Sequence, residues 1–158
     1  MDIAAGISAR FADEWLPKIY KEKVRSQRTR SFKMDIPERE NSAEIQYTLL
    51  GIELKVGKHR FACPDLATAR YLRVFARLGC REFAVPYDIT QISAAADELE
   101  TSWQRMLLHL EESTHGRPSR SVSQARSKLV KAVRQKLIEI GAGDVMPLFN
   151  SPTRTRSN

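Results

Sequence analysis

Phe11, Trp15 and Ile19 recur at i, i+4 and i+8, with Lys18, Glu22 and Arg25 on the other side, so the chain opens on an amphipathic helix. Pro17 either kinks that helix or starts a second one through Lys18 to Val24. The period then changes from helical to alternating. Phe32, Met34 and Ile36 oppose Lys33 and Asp35, which predicts a half-buried strand from Ser31 to Ile36, closed by Pro37 and a polar loop from Glu38 to Ser42.

A second strand is expected from Ile45 to Val56. Its apolar parity switches around Gly51 from Ile45, Tyr47 and Leu49 to Leu50, Ile52, Leu54 and Val56, which suggests a bulge. Gly57-Lys58 supplies glycine at the first position of a type II′ turn, and the returning strand runs from His59 to Cys63. Asp65 offers a cap for a helix from Leu66 to Leu78, with Leu72, Phe75 and Ala76 inward and Gly79 as a left-handed stop. Phe83, Val85 and Tyr87 make a short strand that Pro86 confines to an edge or a strand end. Ile92, Ala96, Leu99, Trp103, Leu107 and Leu110 stripe a long helix capped by Thr90 or Ser93. Leu129, Val133, Leu137 and Ile140 stripe a last, basic one.

The predicted order is αβββαβαα, an α+β fold with three antiparallel strands, a fourth short strand and helices mainly on one face. Residues 1–116 form the domain, 117–121 a linker, 122–141 the basic helix and 142–158 a disordered tail. At 158 residues the chain has the length of one ordinary domain, and 42% hydrophobic with 28% charged residues is a globular balance.

Charge sharpens this picture. The net charge is +7 and the pI near 9.7, and the excess sits at the two ends. Residues 1–30 hold seven Lys/Arg against four Asp/Glu and residues 101–158 ten against four, while 51–100 balance. Basic ends fit nucleic acid, an acidic protein face or anionic lipid. The start lacks the basic and apolar run of a signal peptide, no stretch approaches the roughly 20 apolar residues of a membrane span, and Cys63 and Cys80 form no C-x-x-C pair. A cytoplasmic protein with two buried thiols is expected.

Residues 58–79, KHRFACPDLATARYLRVFARLG, continued by AVPYDIT over residues 84–90, resemble a group of short cyanobacterial proteins without an assigned activity. The resemblance implies a cytosolic or thylakoid-associated housekeeping or regulatory role, and transfers no catalytic residues. The order of elements around Glu53-Leu54-Lys55 also resembles the core of the PD-(D/E)XK nucleases. That resemblance implies Mg²⁺ held by Asp35 and Glu53, with Lys55 positioning the attacking water. The motif departs from that family by falling one strand early, with no acidic residue squarely in the preceding strand.

No Gly-x-Ser-x-Gly, Cys-His or P-loop pattern is present, and the reading calls for no cofactor or metal. What the sequence does offer is a row of guanidiniums. Arg70, Arg73 and Arg77 share a helix face and can meet successive phosphates, in company with Arg25, Arg28, Arg30, Lys128, Lys131 and Arg134. The aromatics Trp15, Trp103 and Phe75 fall on core stripes, so binding to RNA or DNA would rest on phosphates. The expected function is a non-enzymatic module for nucleic acid or an acidic protein surface. The alternatives are an adaptor docking through its last helix and the divergent nuclease.

Overall fold

A computed structural model of the chain describes residues 3–34 and 42–140. Asp35, the loop from Glu38 and the expected tail at 142–158 lie outside the described residues. The architecture is α+β, as the alternation of periods predicts. Helix α1 (Ile3–Phe11) leads through a 3₁₀ turn to α2 (Leu16–Ile19), with Pro17 in its first turn, and a π-type turn (Tyr20–Val24) closes it. There follow β1 (Thr29–Lys33), β2 (Ala43–Thr48), β3 (Gly51–Val56), β4 (His59–Cys63), α3 (Leu66–Arg77), β5 (Glu82–Pro86), α4 (Ile89–Ser113) and α5 (Ser119–Ile140).

The strands form two antiparallel sheets, β1–β5 and β2–β3–β4. The single strand expected from Ile45 to Val56 is a hairpin, because Gly51 pairs with Thr48 and leaves Leu49-Leu50 as a fully exposed two-residue turn. Thr48 closes that turn, its hydroxyl accepting from the Leu50 amide and donating to the Gly51 carbonyl. The three-stranded sheet therefore contains both halves of the parity switch, and β1 pairs elsewhere. At the next turn, Gly57 has φ +60° and joins Val56 to His59 as anticipated.

Ile45, Leu54, Val56, Phe61 and Cys63 face α3, while Gln46, Glu53, Lys55 and Arg60 make a polar outer face. The Asp65 carboxylate caps α3 by accepting from the Thr68 amide at 2.7 Å. On α4 the cap is Asp88, two residues before Thr90 and five before Ser93, the expected caps; its carboxylate accepts from the Thr90 amide and hydroxyl. Those bonds, the hydroxyl's first, lower the Asp88 pKa.

Strand β5 runs through the core, with Phe83, Ala84 and Val85 wholly buried. The Met34 amide donates to the Arg81 carbonyl and the Tyr87 amide to the Arg28 carbonyl, which fixes 30/85 and 32/83 as the hydrogen-bonded pairs. Ala84 therefore turns its backbone polar groups to the side without a partner strand. Two tyrosines serve them: the Ala84 amide donates to the Tyr20 hydroxyl at 2.9 Å and the Tyr71 hydroxyl donates to the Ala84 carbonyl at 2.6 Å. Pro86 occupies the next position on that side, where its missing N–H costs nothing. Phe75 stacks on Phe83 at 4.2 Å and joins α3 to this strand.

Helix α5 begins at Ser119, with the Pro118 carbonyl accepting its first bond from the Val122 amide, so residues 119–121 belong to the helix and not to a linker. Leu129, Val133 and Leu137 are fully buried, and α5 packs on α1, α2 and α4. The apolar stripe of α5 is thus covered by the domain itself.

Candidate nucleic-acid interface

The three arginines of α3 do share a face, and two of them, Arg70 and Arg73, are met there by α4. Arg70 donates through Nε and a terminal nitrogen to Glu100 at 3.0 and 2.6 Å and also binds Asp97; Arg73 donates to the other Glu100 oxygen at 2.6 Å. The pairs 70/97 and 73/100 share an offset of 27 residues, as two helices that pack on each other in parallel, joined in sequence through β5, require. Glu100 retains 13% side-chain exposure against 28% and 24% for the arginines, so its charge is compensated on both oxygens within a partly dehydrated seam. Hydrogen bonds to Asp97 and then Glu100 raise the Arg70 pKa. Arg73 Nε is buried without a hydrogen-bond partner among the described residues.

Arg77 donates to the Ala43 carbonyl at 3.4 Å. Burial, then the nearby charges of Arg73 and Arg126, lowers its pKa. Of the three, Arg70 and Arg73 are committed to carboxylates and Arg77 to tethering α3 against β2.

Arg28 and Arg30 lie on the β1–β5 ribbon. The Arg28 guanidinium sits 5.4 Å from the centre of the Tyr87 ring and that of Arg30 5.6 Å from Phe32. Tyr87 is 58% exposed, an aromatic surface that the core stripes of Trp15, Trp103 and Phe75 do not foreshadow. Its position just past Pro86, at a strand end, was the available signal.

Arg120, Lys128 and Lys131 line the outer face of α5 with Ser123, Gln124 and Ser127, making a shallow open groove along one helix. These cations are exposed, and none has a carboxylate within ion-pair distance among the described residues. Arg134 lies nearer the core, where its charge acts on Cys80 without offsetting the burial that pushes that thiol to about 12. The two basic groups are carried by different parts of the fold, β1 beside β5 and α5 on α1, α2 and α4.

Glu53 and Lys55 stand on the polar face of β3, where Glu53 is paired with Arg60 at 3.1 Å. Asp35, its expected metal partner, lies outside the described residues, and among those described no group of three His, Cys, Asp or Glu side chains is arranged to hold a metal. No described helix is long and apolar enough to cross a membrane. Comparison with protein-family models, curated proteins and solved structures finds no match to this chain.

Proposed function

We propose that the protein is a non-enzymatic module that binds nucleic acid through the outer face of α5, with phosphate contacts supplying most of the affinity. The observation that carries this reading is the contrast in charge compensation. Arg120, Lys128 and Lys131 are exposed and have no ion-pair partner among the described residues, while Arg70 and Arg73 are occupied by Glu100 and Asp97. Unpaired cations on a helix exchange condensed counterions for phosphates without first breaking an internal ion pair. Arg28 and Arg30, beside Tyr87 and Phe32, supply a second, smaller basic surface with aromatic character.

The test is fluorescence anisotropy of labelled DNA and RNA against the purified chain across a salt series. Replacing Arg120, Lys128 and Lys131 together by Glu removes up to three phosphate contacts, so log K against log salt should flatten by about 3 while the melting temperature stays within a few degrees. An unchanged slope would overturn the assignment to α5. Absence of binding at low salt to every nucleic acid would transfer the basic face to an acidic protein partner.

A further inference from the structure

We infer that the ligand of this face is B-form duplex DNA, with α5 lying in the major groove. The inference rests on the reading of α5 as a nucleic-acid-binding helix and specifies which nucleic acid and which edge of it.

At 100° per residue, Arg120, Ser123, Gln124, Ser127, Lys128 and Lys131 occupy a sector of about 140°, centred opposite the buried row Ala125, Leu129, Val133 and Leu137. From Arg120 to Lys131 the stripe is about 16 Å long, close to five base pairs of B-DNA. An α-helix with its side chains is about 10–12 Å across and the B-form major groove about 12 Å wide. The residue types fit its floor as well as its walls. Arg and Lys match guanine O6 and N7, Gln matches adenine N6 and N7, and Ser serves either base. Ser123 and Ser127, one turn apart on the stripe, keep the helix slim where it approaches the bases. No Asp or Glu occurs from Ser113 through Ile138, so no carboxylate of this helix before Glu139 meets the phosphate walls.

The same stripe argues against the other nucleic acids. It carries no aromatic residue on which unstacked bases could lie, as single-strand binders require. The major groove of A-form RNA is too deep and narrow to admit a helix.

The experiment compares one random-sequence pool as duplex DNA, duplex RNA and single strands against the full chain at fixed salt. The duplex DNA should bind about tenfold or more tighter than the others, and replacing its purines by 7-deaza analogues should weaken binding about tenfold by removing the N7 acceptors. Ser127→Phe, which changes no charge, should cost a similar factor by thickening the helix where it enters the groove, with the melting temperature held. A minor-groove ligand should not compete. Equal affinity for duplex RNA, or indifference to 7-deaza purines and to Ser127→Phe, would overturn the groove assignment and leave phosphate-driven binding standing. Failure to bind any nucleic acid at low salt would remove both.

Discussion

Helices α3 and α5 carry comparable rows of cations, and the structure treats them in opposite ways. On α3 the row meets the acidic side of α4, so that Arg70, Arg73 and Glu100 form a single hydrogen-bonded unit. On α5 the basic row lies opposite the side packed on α1, α2 and α4, and its cations are exposed to solvent. Each row counts three cations, Arg70, Arg73 and Arg77 on one turn after another of α3 and Arg120, Lys128 and Lys131 more widely spread along α5. What separates a structural seam from a surface available to a polyanion is the counter-charge contributed by a neighbour roughly thirty positions away in the chain, as between Arg70 and Glu100.

The largest expected effect comes from opening the closed seam. Glu100→Ala leaves Arg70 with Asp97 alone and takes from Arg73 its carboxylate partner, both still partly buried, and should cost about 2–3 kcal/mol in urea unfolding. In the folded fraction it should raise polyanion affinity, because α3 then resembles α5. The converse substitution closes α5. Gln124→Glu and Ser127→Glu place carboxylates four residues before Lys128 and Lys131, the favourable order for helix pairs, and should lower nucleic-acid affinity about tenfold while stabilising the helix by about 0.5 kcal/mol. If both variants left affinity unchanged, charge compensation would not be the variable that matters.

A smaller difference between the two regions depends on pH. Around α3 and β5, burial raises the pKa of Tyr20, Tyr71 and Cys80, the last to about 12 from an ordinary 9.0. The unfolded chain releases these protons at lower pH than the folded one, so the folded state holds more protons in alkali and stability falls as pH rises. The urea midpoint should be level up to about pH 8 and decline from about pH 9 upward, with a shallower decline in Tyr71→Phe. That variant should also lose about 1–3 kcal/mol at neutral pH, because the buried Ala84 carbonyl loses its donor.

Local signals carried much of this fold. The stripe from Ile92 to Leu110, the Asp65 cap, the glycine of the Gly57-Lys58 turn and the confinement of Pro86 to a strand edge each follow from chemistry within a few residues. The Thr48–Gly51 turn was not legible because it lacks the usual Asn or Gly at its centre and is closed by the Thr48 hydroxyl, a bond that apolar parity does not register. Pairing of β1 with β5, across roughly fifty residues, was likewise invisible to periodicity.

The site shows the same division. Lys128 and Lys131 could be placed on an exposed face from spacing alone, whereas the commitment of Arg70 and Arg73 depends on parallel docking of α3 and α4. Asp97 and Glu100, three apart on α4 like Arg70 and Arg73 on α3, were the trace of that docking in the sequence.

The most direct measurement is an NMR titration of the isotope-labelled chain with a short DNA duplex, following backbone amides together with arginine side-chain N–H groups. Shifts should concentrate on α5 between Arg120 and Lys131, while the Arg70 and Arg73 side chains stay where Glu100 holds them. Shifts centred on α3, with the signals of α5 unmoved, would contradict the assignment to α5.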